Sequence, residues 1–333
     1  MSRKRGFWDD VHQRSAAKGE PFFVLAPMAD VTDVPFRGII AQIGRPDVFY
    51  TEFVSAHGLN SPGREKLIRD LGITSEDHPI VAQFFGTEPE HFHMAGVLAR
   101  ERGFDGVDIN MGCPDRSVIK QGAGIALAKD PARAQACIAA LRQGSADLPV
   151  SVKTRLGLYR TDEMDAWLGA LLEARPDVLI VHGRTMKEMS KVPTHWDLLA
   201  RAAEMAACAD VLFVGNGDVT SRARGIELFH AWGVPGVMVG RGIFQDPWLF
   251  NPKGSAENTS PEHRIRLALA HTRAWTDYWG DFKSFHLMRK FFKVYISDWP
   301  GAAHLRAALM ETHTPTEATT LLEAVLSRGV DFS

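Results

Sequence analysis

The chain has 333 residues and a mass of 36.8 kDa, with 45% hydrophobic and 23% charged residues, a net charge of −2 and a pI near 6.7. This is the composition of an ordinary globular enzyme with room for one large domain and one small one. No run approaches the roughly 18 apolar residues of a membrane span, and the near-neutral charge gives no global pull towards nucleic acid, so an RNA partner would need a local basic patch.

Residues 1–20 open with the basic Ser2-Arg3-Lys4-Arg5, but no apolar stretch follows, so they read as a short solvated leader rather than a signal peptide. Eight short β-like runs then recur: Phe23–Ala26, Val48–Phe53, Ile80–Phe85, Gly106–Ile109, Val150–Lys153, Val178–Val181, Val211–Val214 and Gly236–Val239. Several are almost continuously apolar and β-branched, as in a parallel sheet covered by helices. Helical patterns lie between them, among them Glu90–Arg102, Pro131–Arg142, Met164–Ala174 and Ser221–Trp232. Eight β-then-α units across residues 21–252 predict an α/β protein, a (β/α)8 TIM barrel. A doubly wound open sheet is the structural alternative, but it would carry a Gly-rich fingerprint where this chain has Ala26-Pro27-Met28-Ala29. Beyond Pro252 the pattern becomes helical throughout: Pro261–Trp279, Phe282–Ile296, Ala302–Met310 and Thr316–Arg328. Residues 256–333 therefore read as a small all-helical bundle, with the boundary near 251–260.

Chemistry-bearing residues fall at the strand ends. The fourth run leads into Asn110-Met111-Gly112-Cys113-Pro114, a cysteine beyond a buried strand with an amide three residues before it. The loops after runs seven and eight, Gly215-Asn216-Gly217-Asp218-Val219 and Gly240-Arg241-Gly242, have the glycines and charge of a barrel phosphate site. Lys153 ends an apolar strand. It suits a Schiff-base lysine, a structural ion pair, or a donor to an electron-rich cofactor edge, and its company with His182 and a phosphate site favours the last. Gln83, an amide within Val-Ala-Gln-Phe-Phe-Gly, needs buried partners, which either the backbone or a flat heterocycle would supply. Cys113 could give a proton or attack, and the sequence leaves both open. Cysteines at 113, 137 and 208 form no CxxC pair, which points to a reducing compartment, the cytoplasm, and against a zinc ribbon. His91 and His93 point apart on a helix, so no metal site is expected there.

These ordered motifs resemble the tRNA-dihydrouridine synthases, from about residue 20 to the C-terminus. The resemblance rests on Ala-Pro-Met-Ala at 26–29 with Thr32-Asp33 and Pro35-Phe36-Arg37, and on Asn110-Met111-Gly112-Cys113-Pro114 with Val118 and Gly124. Val152-Lys153-Thr154-Arg155, His182-Gly183-Arg184-Thr185, Gly215-Asn216-Gly217-Asp218 and Gly240-Arg241 with Pro247-Trp248 complete it. It implies an FMN enzyme, re-reduced by NADPH (or NADH), that reduces the C5–C6 bond of particular tRNA uridines. A flavin hydride would go to C6 of uracil and Cys113, as general acid, would protonate C5. Pro27, Met28 and Ala29 would line the flavin ring and Gln83 its pyrimidine edge. Lys153 and His182 would contact the ring and ribityl chain, and Asn216, Gly217, Asp218, Gly240 and Arg241 would hold the phosphate. Asn110 would orient the uracil, with Arg184 nearby. The helical domain would contact tRNA through Lys283, His286, Arg289, Lys290 and Lys293, a basic stripe at helical spacing. A monomer without metal or membrane attachment is expected.

One departure stands out. Family members often carry Tyr-x-Gly-x-Ala-x-Trp after the His-Gly-Arg-Thr motif, whereas this chain has Ser190-Lys191-Val192-Pro193-Thr194-His195-Trp196 and keeps only the tryptophan. That leaves substrate-side contacts in this loop, and the identity of the target uridine, unassigned. Nor does the resemblance account for Asp115-Arg116-Ser117. The rival readings are an FMN barrel of the dihydroorotate dehydrogenase kind acting on a free pyrimidine, a Schiff-base aldolase built on Lys153, and a non-catalytic RNA-binding barrel.

Overall fold

The structure, a computed structural model, describes residues 5–254 and 259–328. Its contacts divide the chain into two units: Met1–Thr32 with Pro46–Gly240, and Asp33–Arg45 with Arg241–Ser333. The strands are β1 (Phe22–Leu25), β2 (Phe49–Ser55), β3 (Ile80–Phe85), β4 (Gly106–Met111), β5 (Val150–Arg155), β6 (Val178–His182), β7 (Leu212–Asn216) and β8 (Gly236–Val239). The helices begin with α1 (Phe7–Ala16), α2 (Val34–Ile43), α3 (Arg64–Asp70), α4 (Pro89–Glu101), α5 (Arg116–Lys120), α6 (Pro131–Ser145) and α7 (Met164–Glu173). They continue as α8 (Trp196–Cys208), α9 (Arg222–Trp232), α10 (Pro261–Trp279), α11 (Arg289–Tyr295), α12 (Ala302–Met310) and α13 (Pro315–Arg328).

In the first unit all eight strands run parallel in the order β1-β8-β7-β6-β5-β4-β3-β2, and a parallel bridge from Val24 to Val48 closes the ring. Because strand side chains alternate, every second residue faces the barrel interior. Val24, Tyr50, Val81, Ile180, Val214 and Met238 belong to one buried core cluster. Two steps further along β3, β6 and β7, in the same parity, come Gln83, His182 and Asn216. The functional candidates on these strands are thus the upward continuation of rows that begin as core.

The expected solvated leader is corrected. Residues 7–16 form α1, whose Phe7, Trp8 and Val11 lie at helical spacing; Trp8 and Val11 are buried in the barrel cluster with Phe22 and Val24. Residues 1–4 lie outside the described residues.

The second unit packs α2 with the C-terminal helices. The apolar face of α2 puts the Phe36 ring 5.1 Å from that of Phe291 and 5.8 Å from that of His271. Asp33 caps α2 through the Phe36 N–H and also accepts from Trp279 Nε1 at 2.7 Å. This is why residues 33–45 group with the helical unit, and why the contact division falls at Gly240–Arg241, earlier than the composition shift at 251–260. The single helix expected over Phe282–Ile296 is also corrected. Lys283 and Ser284 are extended, Ser284 caps a 3-10 turn at Phe285–Leu287, and the α-helix starts only at Arg289.

Candidate active site

A buried hydrogen-bond chain links β2, β3, β4 and β5. Asn110 Oδ1 accepts the backbone N–H groups of Gly112 (3.1 Å) and Cys113 (2.9 Å), which fixes its amide. Asn110 Nδ2 then donates to Gln83 Oε1 at 3.1 Å, so Gln83 Nε2 donates to Asp108 Oδ2 at 2.7 Å. From the other side Ser151 Oγ donates to Asp108 Oδ1 at 2.6 Å and lies 3.1 Å from the Tyr50 hydroxyl. Both branches donate towards Asp108, so the backbone of Cys113 is tied through two amides to one buried acid. Gln83, Asp108 and Ser151 are fully buried and Asn110 is 6% exposed. Burial pushes the Asp108 carboxyl up to about 7, although Ser151, Gln83 and the Lys153 charge all act to lower it.

Lys153 pairs in register with Asn110, and the barrel register also sets Arg155 beside His182 and His182 beside Asn216. Lys153 Nζ donates to Asn216 Oδ1 at 3.3 Å, and Asn216 Nδ2 donates to the Met238 carbonyl at 2.8 Å, which fixes the second amide. Burial pulls Lys153 down to about 8, and the Arg155 charge adds to that. Arg155 donates from Nε to the Gly112 carbonyl at 2.9 Å, and from Nη1 to the Thr185 carbonyl at 3.3 Å. Its Nη1 also lies 3.1 Å from His182 Nδ1; a guanidinium only donates, so Nδ1 accepts and the ring proton sits on Nε2. Arg155 thereby braces both the cysteine turn and the imidazole.

Cys113 follows β4 and is half-buried. Its turn is closed by Gly124 at φ +62°, where an added Cβ would meet the Cys113 carbonyl oxygen at 2.6 Å. Burial pushes the Cys113 thiol up, against the pull of Lys153 and Arg155, so the proton stays on sulfur at neutral pH. With His182 Nδ1 engaged by Arg155 and the ring proton on Nε2, that imidazole offers no free nitrogen lone pair. Cys113 lines a cleft of about 850 Å3 together with residues that follow β4 and β6.

Beyond β7, Gly217 takes φ +141° and lies so close to Thr194 that an added Cβ would meet its Oγ1 at 2.5 Å. Arg184, 3% exposed, donates from Nε to the Val192 carbonyl at 2.6 Å and from Nη2 to Asp218 Oδ2, and Thr194 Oγ1 donates to the same oxygen at 2.9 Å. Burial would raise the Asp218 carboxyl, but these hydrogen bonds and the Arg184 charge hold it below its ordinary value. Arg184 therefore braces the β6 and β7 loops, and its Nη1 is buried with no hydrogen-bond partner. At Gly240 an added Cβ would stand 3.8 Å from Ala26 Cβ, an ordinary contact.

After β1, Pro27 and Met28 are half-buried and Ala29 is exposed; the loop is tied by the Met28 N–H to Thr32 Oγ1 at 3.0 Å. Thus Asn110, Lys153, His182 and Asn216 come together at one end of the barrel, with Gln83 beneath Asn110. In the second unit Arg241 is exposed in a 3-10 turn. Lys283 Nζ stands 3.9 Å over the Trp279 ring, and Arg289 is held by the Thr312 carbonyl and by His313 Nδ1 at 3.2 Å. Lys290 and Lys293 are exposed on α11, with Lys290 Nζ 5.4 Å from the centre of the Phe291 ring, while Phe291, Phe292 and Val294 are buried. The expected stripe is therefore not one helical face.

Sequence reasoning missed Asp108, Ser151, Tyr50 and the bracing role of Arg155. A usable signal existed: Asp108 and Asn110, and likewise Ser151, Lys153 and Arg155, are polar residues two apart inside otherwise apolar strands.

A family model described as dihydrouridine synthase (Dus) matches residues 24–329. A probable tRNA-dihydrouridine synthase of Staphylococcus aureus (strain Mu50 / ATCC 700699) is 40% identical over 324 residues, covering 96% of this chain and 95% of its own. A probable tRNA-dihydrouridine synthase 2 of Bacillus subtilis (strain 168) is 39% identical over 311 residues, covering 91% and 93%. Among solved structures, the histamine dehydrogenase from Rhizobium sp. 4-9 is similar over 76% of this chain and 48% of its own, with a TM-score of 0.53 at 13% identity, a likeness of fold.

Proposed function

The chain belongs to the dihydrouridine synthase family, and from that membership we propose that it reduces the C5–C6 double bond of uridines in tRNA, with FMN as resident cofactor and NADPH (or NADH) as reductant. The observation that carries the chemistry is Cys113: a protonated thiol, its backbone pinned by Asn110, on the strand next to Lys153.

The residues present fit a flavin mononucleotide. Arg184 Nη1, a buried donor without a partner beside the Asn216–Asp218 loop, suits an anion. Asn216, Gly217, Asp218, Gly240 and Arg241 would hold the phosphate, Asp218 through its backbone since Arg184 and Thr194 occupy its carboxylate. Lys153 and His182 would flank the ring and ribityl chain, Gln83 its pyrimidine edge, and Pro27, Met28 and Ala29 its face. Bound there, reduced FMN would supply the hydride for C6 of uracil.

This chain's own residues do the rest. Asn110 orients the uracil, and Cys113 gives its proton to C5 as enolate-like charge builds on the base. The Lys153 ammonium, charged below about pH 8, steadies that charge. The uridine must leave its stack to reach the barrel mouth. Contacts from the helical unit, through exposed Lys290 and Lys293, would set the tRNA's register, with Lys283 and Arg289 beside them. No helix among the described residues is long and apolar enough to cross a membrane, and no cluster there could hold a metal. A cytoplasmic monomer accords with this reading.

Purified protein should be yellow and should form dihydrouridine in unmodified tRNA when given NADPH. Cys113→Ala should keep its flavin while losing roughly 10²–10⁴ in rate, the usual contribution of a general acid. A colourless wild type, or a Cys113→Ala variant as fast as wild type, would refute the reading.

A further inference from the structure

Two segments are left without a role by the proposed reaction: Asp115-Arg116-Ser117 after the reactive cysteine, and Met186–Met189 in the loop after β6. They face each other across the cleft that opens at Cys113, whose volume is about 850 Å3. Arg116 and Lys120 stand on one wall and Lys187 on the other, and all three are exposed. Ile119, Met186 and Met189 supply the apolar lining; Met189 is 44% exposed, large for a thioether facing water. One acid, Asp115, also lines the cleft, and its carboxylate is occupied by the Ser117 N–H at 2.8 Å. Three cations therefore face one engaged carboxylate, and no ion pair joins any of the three to an acid among the described residues.

We propose that this cleft is a subsite for the RNA strand beside the reacting uridine: Arg116, Lys120 and Lys187 take its phosphates, and Met186 and Met189 take the face of a flanking base. The inference rests on the tRNA reading above and deepens it. A base turned out of its stack drags its two phosphates to the rim of the site and leaves its neighbours' faces bare. Cations at the rim match the first consequence, and polarizable thioethers match the second. A protein partner would more naturally seek an uninterrupted apolar face, and this lining alternates charge with methionine. Cys113 lines the cleft, so what fills it lies beside what reacts. Its second wall, Met186, Lys187 and Met189, immediately precedes the Ser190–Trp196 stretch where this chain departs from the family pattern.

The test is tRNA binding by wild type, Arg116→Glu/Lys120→Glu and Lys187→Glu, as flavin-loaded full chains, over a series of salt concentrations. Each lost phosphate contact lowers the slope of log K against log salt by roughly 0.7–0.9. The double variant should therefore fall by about 1.5 and bind tenfold or more weakly at low salt, with flavin content and melting temperature unchanged. Arg116→Gln/Lys120→Gln should show the same drop in slope, which guards against a folding defect from charge reversal. A wild-type slope in these variants overturns the cleft. So does an equal loss of affinity for heparin, which would make it an unspecific cationic surface. Wild type that binds tRNA yet forms no dihydrouridine sinks the proposed reaction instead, since the salt slope reads binding alone.

Discussion

Replacing Asp108 with asparagine tests the buried chain behind the cysteine. Asn110 cannot turn over, because its oxygen takes two backbone N–H groups, and Gln83 cannot turn over without setting its Nε2 against Asn110 Nδ2. The new amide can therefore face only one way, oxygen to Gln83 and nitrogen to Ser151. Ser151 can accept that N–H by swinging its own hydrogen to the Val107 carbonyl, 3.3 Å away. Two charge-assisted hydrogen bonds become neutral ones, a loss of about 1 kcal/mol each, offset by no longer burying a charge that burial already resists. The net effect of Asp108→Asn on stability should be about 1 kcal/mol or less. Ser151→Ala removes that relief. In the double variant either the asparagine nitrogen or the Gln83 nitrogen is buried without an acceptor, at about 1–3 kcal/mol. The double variant should thus be worse than the sum of the singles by roughly 1–2 kcal/mol.

Urea denaturation of the four proteins, matched for flavin content, gives the stability cycle, and the rate of Cys113 alkylation reports on the turn that Asn110 holds. The pH dependence provides a second reading of the same residue. Asp108 titrates near 7 in the folded state against an ordinary 3.8, so the folded protein keeps a proton that the unfolded chain has lost. Its contribution is complete below about pH 4 and disappears as pH rises to about 7. Asp108→Asn lacks that slope, so between these limits the difference in stability should move in the variant's favour with rising pH. Additivity within about 0.5 kcal/mol, or a single Asp108→Asn costing more than about 3 kcal/mol, would refute the chain as described.

Further expectations follow from the same contacts. Trp8→Ala should cost about 3–5 kcal/mol, the range for deleting a buried aromatic, and a calorimetric melt showing no more than a surface change would restore the solvated-leader reading. Arg289→Glu should destabilise the protein, because it breaks the contacts to Thr312 and His313 and leaves a charge half-buried, whereas Lys293→Glu should leave the melt unchanged and weaken tRNA binding. Activity should lose the Lys153 charge as pH rises past about 8, and Lys153→Arg, which holds its charge, should move that limb of kcat/KM to higher pH.

The barrel was legible because its strands are short apolar runs at regular spacing, and all eight runs became strands. Strand ends were legible where a glycine, proline or lone polar residue interrupts such a run, hence Cys113, Lys153, His182 and Asn216. What stayed hidden was whatever depends on a partner remote in the chain. Arg184 and Asp218 look like two independent anion- and substrate-facing groups until the fold pairs them across 34 residues. The basic stripe looked continuous because charge spacing was read without the break that the extended Lys283 and Ser284 introduce. Trp8 looked like part of a leader because three apolar residues are too few to announce a helix that plugs a barrel.

One physical cause, burial, gives the two central groups of the site opposite characters. It raises the Cys113 thiol, which then holds its proton, and lowers the Lys153 ammonium, which then sits close to losing one. In the proposed reaction this cysteine donates, and a donor thiol needs no neighbouring base, which would turn it into a nucleophile. Arg155 holds His182 Nδ1 and keeps the imidazole from that part. Asp108 follows the same rule from below, a buried acid close to its own titration point that receives hydrogen bonds from the Gln83 amide and the Ser151 hydroxyl. The site's chemistry therefore depends less on unusual residues than on how little water reaches ordinary ones, and a substitution that admits water beside Lys153 should lower the thiol and raise the amine together.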